Sequence, residues 1–466
     1  MSKSDYKGFN RKSFLKKLGL ASAAVVSGPF IMGQGKSTSY QLEPRRHPSQ
    51  KISPNDHVNL GLIGAGGMGQ GNIATALQYD GFKIVAACDL YDSRLTRCKE
   101  RFGNDIFTTK DYRELLDRED VDAVVVASTD HWHDLHAIHA LEKGKPVYLE
   151  KPITQKIDEA HNVIEAEKRT GTPLIIGSQW TSSIIYEKVR ELYLAGEIGE
   201  LNYAEGYTDR FTPRGAWQYS IPPTATAENV DWKTYRKDLP DIPFDPMHFF
   251  RWRNYNDYGT GVSGDLFVHL FSGIHMILDS LGPENIYATG GLRYWKDGRD
   301  AEDVVLGLFD YPKTENHPAF NMSLRVNFAD GSGGGSSIRL VGSGGEIQFS
   351  ANNLILRKSK MPDAPGMSIG DFSEATRKEY EEYYRQKYPD QRADIIEPGE
   401  FEYRAPAGYN ARFDHHMNFY RAIREGQKVL QDGTFGLQAA GPALLASDSL
   451  REKKPIRWDP VQMRVL

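Results

Sequence analysis

Two stretches of this 466-residue chain carry side chains whose types and spacing suit chemistry. In Gly259-Thr-Gly-Val-Ser-Gly264-Asp265-Leu-Phe-Val-His269, a carboxylate and an imidazole stand four residues apart after a glycine-rich turn, so that on a helix they share one face. A carboxylate facing a histidine holds its tautomer and tunes its pKa near neutrality, which is what taking a proton from a hydroxyl requires. The same pair would also serve as a helix cap and a core histidine, and spacing alone leaves both open. The second stretch is Val58-Asn-Leu-Gly-Leu-Ile-Gly64-Ala-Gly66-Gly67-Met68-Gly69. Here an apolar run stops at glycines in the order G-x-G-x-x-G, the pattern of a strand turning sharply into a helix whose N-terminus receives a pyrophosphate.

A dinucleotide at that turn needs further partners. Phe82–Cys88 reads as the next strand and ends in Asp89, placed to hold a ribose 2′-hydroxyl. Arg94, Arg97 and Lys99 follow and could meet a 2′-phosphate, but Asp89 would repel it, so NAD is expected over NADP. The β-branched run Val121–Ala127 suits a parallel strand buried on both faces and ends in Thr129, Asp130 and His133, where a ligand across the carboxyl ends of the strands is met. His131, His133, His136 and His139 invite a metal, yet three-residue steps precess around a helix and no carboxylate completes a ligand set, so none is expected.

The elements that must position these residues form two halves. Residues 56–178 alternate strands and helices, the pattern of a doubly wound parallel sheet; residues 179–466 contain short alternating runs (303–309, 320–328, 337–341, 345–349) that predict a mostly antiparallel sheet in a second α+β domain. The glycines at 331–335 read as a hairpin connection between two of those runs. Between them, about 208–260 is a long irregular stretch rich in rings. A loop of this length in a compact domain is a lid or binding segment. Trp217, Trp252 and Tyr258 offer faces to sugar C–H bonds, and Arg214, Arg251 and Arg253 offer donors to hydroxyls, although most such rings simply pack.

Composition narrows the class. Fifty-seven basic against 62 acidic residues give a net charge of −5 and no case for nucleic acid, and two cysteines, Cys88 and Cys98, make no disulfide framework. Residues 1–35 read as an export signal: a basic segment around Arg11 and Lys12 feeds an apolar run, Leu18 to Met32, too short to span a bilayer comfortably. The order resembles a twin-arginine signal with Lys12 in the second arginine's place, so a periplasmic location is expected, and no integral membrane protein after signal removal. Residues 36–55, polar and proline-bearing, read as a linker or arm.

Gly64-x-Gly66-x-x-Gly69, Thr129-Asp130-x-x-His133 and Glu150-Lys151-Pro152 together resemble the glucose-fructose oxidoreductase / inositol dehydrogenase (Gfo/Idh/MocA) family over nearly the whole chain beyond residue 55. Asp130 stands where many members have asparagine. The resemblance implies a catalytic set of Lys151, Asp265 and His269, with Glu150 and Lys151 also beside the cofactor, a small carbohydrate or polyol as substrate, and a homo-oligomer. It further implies an alternative to net redox chemistry, since some relatives are glycosidases that use their cofactor for a transient oxidation. A non-catalytic sugar-binding protein is the third and weakest alternative.

Overall fold

The computed structural model describes residues 37–45, 47, 52–53, 56–359, 367–387 and 399–466; from Ser37 onward they belong to one compact unit. The expected export signal lies outside the described residues, as does part of the arm. Six strands make the first sheet: β2 (Val58–Ile63), β3 (Phe82–Cys88), β4 (Phe107–Thr109), β5 (Ala123–Val126), β6 (Val147–Leu149) and β7 (Leu174–Ile176), all parallel, in the order β4-β3-β2-β5-β6-β7. The chain doubles back between β2 and β5, and at such a switch point the loops after two adjacent strands diverge and leave a crevice. β5 and β6 are buried at every residue, which explains their continuous apolar runs.

The second sheet has eleven strands in the order β1-β15-β14-β13-β12-β8-β11-β10-β9-β16-β17. They are β1 (Ser37–Gln41), β8 (Leu201–Asp209), β9 (Asn285–Gly291), β10 (Val304–Tyr311), β11 (Phe320–Asn327), β12 (Gly335–Gly342), β13 (Gly345–Phe349), β14 (Asn353–Lys358), β15 (Gly399–Arg404), β16 (Ile456–Asp459) and β17 (Arg464–Val465). Only β1 with β15 and β8 with β11 pair in parallel. In β10 burial alternates at every residue, so one face packs and the other is open.

Three expectations are corrected here. The stretch read as a linker contains β1, whose Thr and Tyr residues suit a strand and find an unpaired edge on β15. The glycines at 331–335 do not close a hairpin: β11 and β12 flank β8, so their connection crosses the end of β8, held by Arg210 N to Asn327 O (2.8 Å) and Asp330 N to Arg210 O (3.2 Å). The stretch after β8 is not structureless; it holds the short helices Trp232–Arg236 and Pro246–Phe250 and a small core of its own around Trp232, Tyr235, Phe249 and Tyr258.

Two late helices complete the layers. Ala411–Glu425 lays Phe419 and Tyr420 on the face of the parallel sheet formed by Val58, Leu60 and Phe82, and so carries its first turn, with Arg412, to the glycine loop. Gly433–Glu452 packs Leu437 and Ala440 into the core on the other face. No helix among the described residues is long and apolar enough to cross a membrane.

Candidate active site

β2 ends at Gly64, whose φ of +90° and contact with the Ala127–Ser128 backbone admit no side chain. The chain then enters the helix Gly67–Ala76, where a Cβ on Gly69 would overlap the Gly64 carbonyl. Gly66 and Gly67 are left open on the other side: a Cβ at Gly66 would have only Arg94 Cζ, 3.9 Å away, and one at Gly67 nothing within 4 Å. The first N–H groups of a helix have no partner within it, so this turn presents donors and a positive dipole end to open space. That space is a cavity of about 950 Å³ lined by Gly64, Gly66, Gly67, Met68, Asp89 and Thr129, among others. A glycine cradle at a helix start, with a carboxylate one strand away, fits a dinucleotide.

Asp89 is buried, accepts from Tyr91 N at 3.0 Å, and faces the Arg94 guanidinium at 3.4 Å. Arg94 lies over the rings of Phe249 and Phe250, which belong to the segment that follows β8. That segment is stitched onto the carboxyl ends of the parallel strands: Asp231 N donates to Leu90 O (2.8 Å), Asp92 N to Asn229 O (3.1 Å), and Lys237 Nζ to His131 O (2.8 Å) and Asp134 Oδ1 (2.9 Å). The aromatic insertion therefore roofs the adenosine end of the crevice.

Other expected cofactor contacts stand behind the cavity wall. Gly69 supports the loop from beneath. Glu150 is a strut, accepting from Asn72 Nδ2 at 2.8 Å and so joining the glycine-loop helix to the end of β6; Asn72 carried no sequence signal. His133 faces the Pro152 carbonyl at 2.8 Å, and burial lowers its pKa. Asp130 is 2% exposed and accepts from Thr260 Oγ1 at 3.0 Å. Burial pushes its pKa up to about 7 against the pull of Arg253, Lys151 and Thr260, with Asp265 adding to the rise.

Lys151 and Asp265 meet. Lys151 Nζ donates to Asp265 Oδ1 and to the Asp265 carbonyl, both at 2.8 Å, and an ammonium keeps a third donor. Arg253 Nε faces the same carboxylate at 3.2 Å. Burial alone would raise the Asp265 pKa, but Lys151 and Arg253 reverse this and hold it well below the usual carboxylate range. The expected Asp265–His269 pairing is corrected. Ser263–Phe267 is a π-helical turn leading into the helix Val268–Leu278, so the phase between the two side chains differs from that of a uniform α-helix. Two cations also compete for the carboxylate, and a bond between opposite charges outweighs one from a neutral ring. His269 Nδ1 is left buried without a partner, and burial followed by the Lys151 charge keeps the imidazole pKa well below its ordinary value.

Of the proposed substrate residues, Trp252 and Arg253 line the cavity, with Arg253 stacked on the Trp252 ring (4.1 Å). Trp217 does not: it is 1% exposed and packs edge-on against Phe328. Tyr258 is fully buried in the insertion's core, bonded to Arg236 and His248. Arg251 turns away to the Tyr219 carbonyl at 2.8 Å and to Gln218. Arg210 and Arg412 line the cavity unforeseen, since neither lies in a motif.

Residues 58–178 match the family described as an oxidoreductase family with an NAD-binding Rossmann fold, Gfo/Idh/MocA. A glycosyl hydrolase family 109 protein of Shewanella pealeana is 25% identical over 237 residues, 48% of this chain and 50% of that protein. An alpha-N-acetylgalactosaminidase of Shewanella oneidensis is 27% identical over 174 residues, 34% of this chain and 37% of that one. The chain thus spans about half the length, or less, of the curated relatives it matches. Among solved structures, levoglucosan dehydrogenase in complex with NADH and levoglucosan superposes with a TM-score of 0.61 at 16% identity, covering 86% of this chain and 99% of that one. The WlbA dehydrogenase of Bordetella pertussis, in complex with NADH and UDP-GlcNAcA, gives 0.61 at 15% identity, with the same coverages. These likenesses show the fold.

Proposed function

From the match of residues 58–178 to the NAD-binding Rossmann fold of the Gfo/Idh/MocA oxidoreductase family, we propose that the chain oxidises or reduces a hydroxyl or keto carbon of a sugar, glycoside or polyol. The observation that carries this reading is the meeting of Lys151 with Asp265 across 114 residues of sequence, next to a buried neutral imidazole and behind a cavity that begins at the glycine loop. When bound, the nicotinamide supplies a hydride acceptor or donor. The chain's own groups do the rest. Asp265 fixes the Lys151 ammonium, whose remaining N–H would meet a substrate oxygen and stabilise the charge that grows there. His269, held neutral, takes the hydroxyl proton in oxidation and returns it in reduction. The roof of Phe249 and Phe250 and the Arg94–Asp89 pair keep water from the adenosine end.

The family 109 relatives support a second reading, glycoside cleavage through transient oxidation, for which the same base and ammonium would serve. Incubation with a sugar panel while nicotinamide absorbance is followed, beside aryl glycosides scored for released phenol, tests both. Net absorbance change with sugars supports the first, phenol without net change supports the second, and neither signal sinks both.

The basic-then-apolar N-terminus supports export to the periplasm by a twin-arginine route, which suits a protein that folds around its nucleotide first. Outside the cytoplasm no replenished nicotinamide pool exists, so the cofactor stays bound through the cycle; exhaustive dialysis followed by assay without added NAD tests this, and a nucleotide-free protein active only with free NAD refutes it. The aromatic roof over the adenosine end suits such retention. Exposed Tyr287, Leu306 and Leu308 on β9 and β10 support a homo-oligomer.

A further inference from the structure

The two ends of the cavity differ in charge. At the glycine-loop end the cations have acidic partners: Arg94 faces Asp89, Lys110 faces Asp92 at 2.8 Å, and Arg113 faces Asp111 at 3.3 Å. Arg412, whose Nη1 lies 3.6 Å from where a Cβ on Gly71 would stand, meets the turn that receives the pyrophosphate. The dinucleotide's charge is therefore matched there.

At the far end the balance fails. Lys151 and Arg253 both pair with Asp265, the other carboxylate near them, Asp130, is pushed by burial to a pKa of about 7, and Arg210 lies near enough to lower the pKa of Asp265. Arg210 leaves β8 through the crossing that ties it to Asn327 and Asp330, and its guanidinium is braced by a donor bond to the Gly215 carbonyl at 2.8 Å and by the Phe328 ring. Among the described residues neither Arg210 nor Arg214 has an ion-pair partner, and both line the cavity with Arg253. Surplus guanidinium groups converging on one concave surface, one of them preorganised by backbone, recognise planar or tetrahedral oxyanions.

We propose that the substrate is an acidic carbohydrate, whose carboxylate, phosphate or sulfate group is bound by Arg210 and Arg214, with Arg253 between that anion and the reacting carbon at Lys151. The proposal rests on the carbohydrate reading above. Its binding test does not require turnover. Glucuronate and galacturonate are titrated calorimetrically into the nucleotide-loaded protein beside glucose and galactose, and then beside the 6-phosphates and 6-sulfates of the two sugars. The expected result is that at least one acidic series binds about tenfold or more tighter than its neutral parent, as charge-assisted bonds require. That advantage shrinks with rising salt and falls below about threefold in R210Q and R214Q; the tightest series identifies the anion. Equal binding of neutral and acidic sugars, or an advantage untouched by both substitutions, overturns the proposal. Selective binding of acids with neither nicotinamide change nor glycoside cleavage would uphold the acidic-carbohydrate site at Arg210 and Arg214 and remove the enzymatic reading instead.

Discussion

Asp130 offers a test of the site's electrostatics that needs no substrate. Its carboxyl is buried, with a pKa of about 7 against an ordinary 3.8. Below about pH 4 folded and unfolded chains both hold the proton, and the group costs nothing. Between about 4 and 7 the unfolded chain releases it while the folded chain keeps it, so stability falls as pH rises, by up to roughly 1.4 kcal/mol per pH unit. Above about 7 the cost is complete. Linkage then gives a penalty of about 1.5 kcal/mol at pH 5 and about 4 kcal/mol at pH 8. Asp130→Asn keeps the shape and an acceptor for Thr260 Oγ1 but removes the ionisation. The variant should gain on the parent by about 2.5 kcal/mol more at pH 8 than at pH 5, measured as the difference in urea unfolding free energy at the two pH values. A difference that stays flat with pH, or one that favours the parent at pH 8, would show that Arg253 and Lys151 keep this carboxylate ionised and that Asp130 offsets part of the positive charge around Asp265.

Lys151→Ala should lower kcat by roughly a hundredfold or more while bound nucleotide is retained, since a single ammonium aimed at developing charge acts mainly in the transition state; a loss under about tenfold, roughly 1.4 kcal/mol, would remove lysine from the mechanism. Asp89→Ala should weaken NAD by about tenfold and raise the NADP-to-NAD affinity ratio, because it removes a ribose acceptor and frees Arg94 for a 2′-phosphate; isolation of the native protein with NADP alone would contradict this. Trp217→Ala should cost roughly 3–5 kcal/mol of stability as a core truncation, read by denaturant titration, and a KM effect without that loss would return Trp217 to the substrate site.

What could be read from sequence was whatever local sterics dictate. Gly64 and Gly69 are demanded by backbone contacts within a few residues or to an adjacent strand, and the runs in β5 and β6 are β-branched because both faces are covered, so the parallel half and its loop were legible. Alternation revealed that β11 and β12 exist but not their neighbours, because period-two patterning encodes a buried face and not a strand order. The Asp265–His269 spacing misled for a related reason: the i,i+4 rule presupposes an α-turn, and nothing in Ser263–Phe267 announces a π-turn. The aromatic insertion was the least legible, since a ring that packs its own segment and a ring that meets ligand look alike in sequence; Trp252 and Tyr258 are six residues apart and only the first reaches the cavity.

Charge was hidden in another way. A net of −5 over the whole chain conceals a site where cations outnumber acids, because Arg210, Arg214 and Arg253 reach it from the insertion, Lys151 from the end of β6 and Asp265 from before a distant helix. Read one at a time, these residues give no sign that their charges meet. Their convergence has a cost: like charges in a partly dry crevice repel, and two guanidinium groups without carboxylates lower the stability of the empty site. A fold tolerates such a surplus where ligand charge completes it, and burial first, then the same surplus, keeps His269 neutral so that it can act as a base. One arrangement of charge thus prepares both substrate binding and proton transfer, and removing Arg210 should weaken the first while raising the imidazole pKa toward its ordinary value.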